Sequence, residues 1–265
     1  MKMELKVCTF NVRSVYVGED GVNSFLFRSG MILEKIRRES PDLICFQEVI
    51  DPIRAFFNNH LDGYDLYGYG RNADRRGEGV TIAVRHGLFT LISFESFWLS
   101  PTPNVPATRY PGQSSCPRIC PVAVFLTKEG KLLRVAGIHL DHVSDDARIL
   151  GIKLVMEYLA EKQTELKADA TLVLGDFNAR ETSATMKWVD ENTVFPLVEV
   201  TKDSGPTFHW WGRLVPGSKD EPRKIDFIYL DPESAKTARD LDVWKDQEQG
   251  IYLSDHYPFT VKFDL

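Results

Sequence analysis

The stretch TLVLGDFNAR, residues 171–180, starts as an apolar run and ends with an acid and an amide two positions apart. Its apolar half is typical of a strand buried inside a sheet. Side chains two positions apart on an extended segment point the same way, so Asp176 and Asn178 are expected to project together from the strand's end. Gly, Asp and Asn are also common in turns. The stretch therefore predicts a strand over residues 170–176 that ends either in a simple turn or in a functional site.

Around this strand, the sequence predicts many short strands and few helices. Further strands are predicted over residues 5–11, 42–48, 79–84, 88–98, 122–127, 132–140, 225–230, 239–244 and 257–264, helices over 24–39 and 144–167, and a proline-rich loop over 100–121. Scattered helices among many strands favour two packed sheets covered by helices. No internal repeat or linker divides the sequence, so we expect one domain over residues 1–265.

The composition is that of an ordinary globular protein, with 43% hydrophobic and 26% charged residues. The net charge of −6 argues against a protein that coats nucleic acid with a basic face, but not against an enzyme that meets phosphate through a metal ion. No apolar run approaches the roughly 18 residues of a membrane span, and the start lacks a signal-peptide pattern. We therefore expect a cytoplasmic protein with no membrane span, whose four cysteines are reduced thiols without zinc-ligand spacing.

Polar side chains recur at the ends of the predicted strands. They are Asn11, Glu48, His139, Asp176, Asn178, Asp226, Asp255 and His256. Each alone has an ordinary explanation as a cap, a turn residue or a solvated strand end, but a charge beside an apolar run is costly to bury unless it is paired or metal-bound. Carboxylate oxygens suit Mg²⁺, and histidines suit a phosphoryl group whose oxygens gain charge. Their recurrence predicts one hydrolytic site for a phosphoester.

The motifs TFNVR, QE, GDFN and SDH, in this order, resemble the endonuclease/exonuclease/phosphatase superfamily, which includes deoxyribonucleases, deadenylases, sphingomyelinases and inositol-phosphate 5-phosphatases. The stretches FWLS, HLDHVSDDAR and TFH resemble a bacterial branch related to the deadenylase and sphingomyelinase groups. The resemblance extends over nearly the whole chain. It implies an α/β fold, a four-layer α/β/β/α sandwich of two packed mixed sheets flanked by helices, which agrees with the strand pattern.

The resemblance also implies roles for single residues. Glu48 matches the main metal ligand, and Asn11 and Asp255 match residues of the metal network. Asp176 matches the group that positions or deprotonates the attacking water. Asn178 matches the amide that holds this water or the phosphate.

Two histidines complete the implied catalytic group. His256 matches the histidine on the scissile phosphate, with Asp226 as its orienting carboxylate. His139 matches a second histidine, with Glu78 in GEGVTI as the carboxylate behind it. Both histidines are expected to be protonated or strongly donating.

Three residues are expected to bind the phosphate or the rest of the substrate. Arg71 and Arg118 fall where family members place basic phosphate contacts, although they could instead brace loops. His209 opens the aromatic group HWW, which could stack on a base or a ring or could pack in the core.

Together these residues predict Mg²⁺-dependent hydrolysis of a phosphoester, with Mn²⁺ as a substitute metal. The favoured activity is that of a phosphodiesterase or nuclease on single-stranded nucleic acid or a small phosphodiester. The alternative is a phosphatase acting on a sugar-, inositol- or lipid-phosphate. A non-catalytic binding scaffold is the second alternative, and no obligate protein partner is expected.

Overall fold

The computed structural model describes residues 3–15 and 19–265. The strands are β1 (Glu4–Asn11), β2 (Leu43–Val49), β3 (Tyr64–Tyr67), β4 (Gly79–Arg85), β5 (Phe89–Trp98), β6 (Ile119–Thr127), β7 (Leu132–His139), β8 (Ala170–Asp176), β9 (Val198–Glu199), β10 (Asp226–Leu230), β11 (Arg239–Val243), β12 (Gln247–Glu248), β13 (Ile251–Tyr252) and β14 (Phe259–Asp264). The helices are α1 (Phe25–Glu39), α2 (Asp51–His60), α3 (Asp145–Glu165), α4 (Ala184–Glu191) and α5 (Pro232–Ala235).

Twelve of these strands form two six-stranded sheets. The first has the order β11-β14-β1-β2-β4-β3 and the second the order β5-β6-β7-β8-β10-β9. The pairs β1–β2 and β7–β8 are parallel, whereas β8–β10 and β1–β14 are antiparallel. Because parallel neighbours run in the same direction, β1 and β2 end side by side in one sheet, and β7 and β8 do so in the other.

The core has three layers of apolar side chains. Val7 of the first sheet and Leu172 of the second belong to the cluster between the sheets. Ile32 and Phe57, from α1 and α2, pack on the outer face of the first sheet. The helices α3 and α4 cover the outer face of the second sheet, for example with Ile152. The predicted four-layer sandwich of two mixed sheets is therefore confirmed.

Both predicted helices are present, and α3 ends at Glu165, two residues before the predicted end. The helix α1 stops at Ser40, which takes a left-handed conformation before Pro41, since proline disfavours helix in the preceding residue. The helix α3 starts after Ser144, whose hydroxyl accepts a hydrogen bond of 3.2 Å from the Ala147 N–H. Among the described residues, every helix is too short or too polar to cross a membrane.

Several boundaries differ from the sequence prediction. The elements that were not predicted are the helices α2, α4 and α5 and the strands β3, β9, β12 and β13. The strand β6 begins at Ile119, so the proline-rich loop is shorter than residues 100–121. Asp255 and His256 precede the last strand instead of opening it, because β14 begins at Phe259. Pro258 lies between His256 and the start of β14, and it has no N–H with which to extend the strand pairing.

Candidate active site

The strand ends from both sheets open into one cleft of about 410 Å³. The predicted site residues that line it are Glu48, Arg71, Glu78, Arg118, His139, Asp176, Asn178, Asp255 and His256. Strand register accounts for part of this convergence, because His139 of β7 and Asp226 of β10 both lie opposite Asp176 of β8. Asn11 and Asp226, which were also predicted, are not among the lining residues but bond to residues that are. Asn11 bonds to Glu48 and Asp176, and Asp226 bonds to His256.

Asp176 lies at the centre of the cleft and is buried. Its Oδ1 accepts a hydrogen bond of 2.8 Å from the backbone N–H of Asn178, and its Oδ2 accepts one of 3.0 Å from Asn11 Nδ2. Burial, followed by the negative charge of Asp226, raises the pKa of Asp176 to about 7. The carboxyl is therefore basic enough to accept a proton near neutral pH.

Glu48 belongs to the first sheet and faces Asp176 across Asn11. The side-chain amide of Asn11 also donates to Glu48 Oε1 at 3.1 Å, so it links the acids of the two sheets. The other oxygen of Glu48 accepts from the backbone N–H of Ser14 at 2.9 Å and from its hydroxyl at 3.2 Å. Burial raises the pKa of Glu48, but the Ser14 hydrogen bonds and the charge of Arg13 outweigh it, so the net shift is downward. Glu48 is therefore ionised.

His256 is held by the carboxylate that the sequence predicted. Its Nδ1 lies 2.8 Å from Asp226 Oδ2, and Thr207 Oγ1 donates to the same oxygen at 2.6 Å. Burial lowers the pKa of His256, but the charges of Asp226 and Asp176 outweigh it and raise the pKa to about 10. The imidazole is thus a cation at neutral pH, with Nε2 lying 3.9 Å from Asp176 Oδ2.

The pKa of His139 is shifted in the opposite direction from that of His256. Its Nε2 lies 3.7 Å from Asp176 Oδ2, but burial and then the charges of Arg118 and Arg71 lower its pKa well below the usual range. His139 is therefore neutral, whereas His256 is protonated. Both were predicted to be protonated or strongly donating, and donation by neutral His139 stays a prediction. The described partners of Glu78 are Arg71, at 2.6 Å, and the Ser14 hydroxyl, so its role behind His139 stays a prediction.

Asp255 is a further buried acid of the cleft. Burial raises the pKa of Asp255, despite the opposing charge of His256, and Asp255 Oδ2 lies 3.8 Å from Arg13 Nε. Ligand atoms of Asp176, Asp226 and His256 lie within 4.8 Å of one another, but Asp226 Oδ2 already accepts two hydrogen bonds. The carboxylates of Glu48 and Asp255 are oxygen ligands of the kind that a hard divalent cation prefers. A cation beside Asp255 would also offset the burial that raises the pKa of this group.

The two arginines and a third histidine form what we call the basic end of the cleft. Arg71 pairs with Glu78, and Arg118 Nη2 lies 3.0 Å from His142 Nδ1. His142 was not predicted, although it follows His139 by three positions in HLDH and could have been recognised from that spacing.

His209 does not lie on the cleft wall that the structure describes. Its buried ring stacks on Tyr257, with ring centroids 3.8 Å apart, and its Nδ1 accepts a hydrogen bond from Gly212 N–H. The neighbours Phe208 and Trp210 line the cleft instead. The ring therefore packs against Tyr257 and Gly212, which agrees with the core-packing alternative, and a role of His209 in substrate binding stays a prediction.

Two packed mixed sheets with a cleft of carboxylates, amides and histidines at their strand ends define a phosphoesterase-type fold. The chain belongs to the Endonuclease/Exonuclease/phosphatase family, whose sequence model matches residues 8–256. None of the curated proteins matches the sequence.

Solved structures agree with this assignment. The chain is similar to an endonuclease/exonuclease/phosphatase from Bacteroides vulgatus, with 24% identity, a TM-score of 0.86 and full coverage of both chains. It is also similar to a mannosyl-6-phosphatase from Bacteroides thetaiotaomicron, with 25% identity, a TM-score of 0.81, and coverage of 98% of this chain and 99% of the other. Danio rerio (D. rerio) TDP2, complexed with a single-strand DNA product, shares the fold at 17% identity, with a TM-score of 0.73 and 99% of both chains covered.

Proposed function

We propose that the protein is a metal-dependent phosphoester hydrolase that uses water as the nucleophile. The observation that carries this proposal is the pairing at the cleft floor of a buried acid with a pKa near 7 and a histidine cation. Asp176 is that acid, and His256, held by Asp226, is the cation 3.9 Å from it. Opposite protonation states in one cleft are what proton transfer and charge stabilisation require together.

In this mechanism Asp176 accepts a proton and the two histidines bind the phosphate. Asp176 accepts the proton of the attacking water at Oδ2 or Oδ1, with its orientation held by Asn11 and by the Asn178 backbone. His256 donates from Nε2 to a nonbridging phosphate oxygen, where charge builds up in the transition state. His139, as a neutral donor, contacts the same group from the other side.

The residues that would hold a divalent metal are Glu48, Asp255 and Asn11. Mg²⁺, or Mn²⁺ in its place, would there neutralise the phosphate oxygens and stabilise the leaving oxygen. The hydrogen bonds from Ser14 keep Glu48 ionised and oriented for this role.

Two substrate classes fit this reaction. The similarity to a mannosyl-6-phosphatase supports a sugar-phosphate monoester. The phosphodiesterase or nuclease activity predicted from the sequence remains the competing candidate, and the likeness to TDP2 supports it at the level of fold.

The test is hydrolysis of p-nitrophenyl phosphate, bis-p-nitrophenyl phosphate and mannose 6-phosphate, each with Mg²⁺, with Mn²⁺ and with a chelator. We expect metal-dependent release of product, and a loss of about 100-fold or more in kcat for Asp176→Asn, since general-base catalysis typically contributes that much. Asp62→Asn, an exposed and remote carboxylate, is the matched control. Full activity in Asp176→Asn, or hydrolysis unaffected by chelation, would contradict the proposal.

A further inference from the structure

The guanidinium of Arg118 has hydrogen-bonding groups that the protein does not satisfy. The residue is 5% exposed, and among the described residues its Nε and Nη1 are buried without a hydrogen-bond partner. Leaving a buried donor without a hydrogen-bond partner is unfavourable, and more so for a charged group. Such groups call for an explanation, and a bound ligand is one.

Arg118 faces the place where a ligand would sit. It lines the main cleft together with Asp176 and His256, and it also lines a smaller adjoining cavity of about 10 Å³. The smaller cavity has room for about one water molecule at most. The main cleft is therefore where a larger partner for the guanidinium can bind.

His142 adds a second donor beside it. An arginine nitrogen can only donate, so His142 Nδ1, 3.0 Å from Arg118 Nη2, must be the acceptor in this pair. A neutral imidazole that accepts at Nδ1 carries its proton at Nε2. The pair therefore presents N–H groups from both residues.

The electrostatic field at this end of the cleft is positive. Burial and then the charge of Arg118 lower the pKa of both His139 and His142, and burial followed by the charge of Arg71 lowers that of Arg118. The nearby carboxylate of Glu78 pairs with Arg71. An anion bound there would relieve this repulsion between like charges.

We propose that Arg118 and His142 form an anion subsite for the terminal oxygens of a phosphate monoester dianion, so that the enzyme selects a dianionic phosphate over a monoanionic diester. This inference rests on the proposed function and adds the charge of the substrate to it. The phosphate lies against Asp176, His139 and His256, and its second negative charge faces the basic end. A diester places an alkyl or aryl group there instead and leaves the guanidinium donors unsatisfied.

The variants for the test are Arg118→Met, which removes the charge at similar length, and His142→Ala, which removes an exposed side chain with little risk to folding. Arg37→Met, an exposed arginine of α1 that lines a different pocket, is the matched control. Thermal unfolding establishes that each variant is folded. The binding of inorganic phosphate is measured by calorimetry, and kcat/KM is measured on p-nitrophenyl phosphate and on bis-p-nitrophenyl phosphate.

We expect Arg118→Met to weaken phosphate binding and to lower kcat/KM for the monoester by about 30-fold each, as the loss of hydrogen bonds to a charged group implies. In Arg118→Met, kcat/KM for the diester should change by less than about threefold. In His142→Ala, kcat/KM should fall for the monoester alone and by less than in Arg118→Met, because this variant keeps the guanidinium. Equal losses on both substrates, or unchanged phosphate affinity in Arg118→Met, would overturn the subsite.

Two further outcomes separate this inference from the function it rests on. If the wild-type protein hydrolyses neither ester but its phosphate binding still requires Arg118, the subsite stands and the proposed function fails. If hydrolysis occurs and phosphate binding ignores Arg118, the function stands and the subsite fails. Inorganic phosphate should also inhibit diester hydrolysis competitively, because it would bind where the scissile phosphate binds. Noncompetitive inhibition would mean that inorganic phosphate binds at a separate site, and it would overturn the assignment of the subsite to the scissile phosphate.

Discussion

At the floor of the cleft, one carboxylate oxygen controls the charge of the histidine. Asp226 Oδ2 receives hydrogen bonds from His256 and from Thr207, and both donors are buried. Thr207 therefore holds Asp226 in the orientation that keeps His256 cationic. In Asp226→Asn, an amide oxygen can still accept the hydrogen bond from Thr207. The effect of the charge can therefore be tested separately from the effect of the packing.

Replacing Asp226 by Asn should lower kcat by about 100-fold or more while the protein stays folded. The amide keeps the shape but removes the charge that raises the pKa of His256, so the cation at the phosphate is lost. Steady-state kinetics and thermal unfolding measure the two effects. Asp242→Asn, an exposed carboxylate of β11, is the control, and near-normal turnover in Asp226→Asn would contradict this role.

His209 contributes to stability rather than to the cleft surface. Burial, and then the charge of His256, lowers the pKa of His209 to about 3, far below its value in an unfolded chain. The unfolded state therefore binds more protons at mildly acid pH. The stability that neutral His209 provides is present above roughly pH 6.5 and is lost as the pH falls toward its folded pKa.

Between pH 7.5 and 4.5 the wild-type protein should lose about 2.7 kcal/mol of unfolding free energy through this group. The variant His209→Asn has no titrating group at this position. The change in its unfolding free energy between the two pH values should therefore be smaller than in the wild type by the same amount, whatever its stability at pH 7.5. Urea unfolding at the two pH values measures the difference, with His60→Asn, an exposed histidine, as the control. The same pH dependence in His209→Asn and wild type would refute the assignment.

At the scale of secondary-structure elements, the ends of the strands depart from regular geometry around the cleft. Glu48 and Asn178 are non-glycine residues with φ of 62° and 49°, and Glu48 lies in an irregularity of the β2–β4 pairing. Left-handed backbone costs such residues about 1–2 kcal/mol each, and strain of this kind concentrates at functional sites. Regular strands would aim these two side chains elsewhere.

Gly175 shows how closely β8 approaches β7 just before Asp176. Its φ is 143°, and an added Cβ would overlap the backbone carbonyl of Ile138. Gly175→Ala should therefore lower the unfolding free energy by about 3 kcal/mol or more, through overpacking and backbone strain. Gly30→Ala should instead raise the unfolding free energy by roughly 0.5–1 kcal/mol. Gly30 is an exposed glycine within α1, and an added Cβ there would meet only open space. Urea unfolding measures both, and a neutral Gly175→Ala would contradict the close approach.

At the scale of the whole molecule, the site exists only where the two sheets meet. Asn11 and Glu48 come from the first sheet, whereas Asp176 and His139 come from the second. Metal binding should therefore stabilise the sandwich as a unit, because a ligand that binds only the folded state shifts the unfolding equilibrium.

Mg²⁺ at 100 times its dissociation constant should add about 2.7 kcal/mol to the unfolding free energy of the wild-type protein and raise Tm by several degrees. Glu48→Gln should show little of this Mg²⁺-induced shift, even if its Tm without metal differs from that of the wild type. Glu34→Gln, an exposed acid of α1, is the control and should keep the full shift. An undiminished shift in Glu48→Gln would exclude Glu48 as the metal ligand. The measurement needs no substrate.

The elements that the sequence predicted best are those with strong local patterns. The strand β8 is a continuous apolar run, and α3 has both length and a serine cap. The helix α2 was missed because it is short, and short helices are marginal without tertiary packing. Its Ile53 and Phe57 are buried against the first sheet, and that contact is absent from any local pattern.

The sequence by itself determined most of the strands, their polar ends and the residue types that a phosphoesterase needs, because periodicity and composition are local properties. The tertiary structure alone decided which of those ends meet. Asn11 bonds to Asp176 across a separation of 165 residues. Burial together with Arg118 keeps His139 neutral, whereas Asp226 keeps His256 cationic. Burial and neighbours from distant segments set the charge of each group, and only the folded sheets bring those neighbours together.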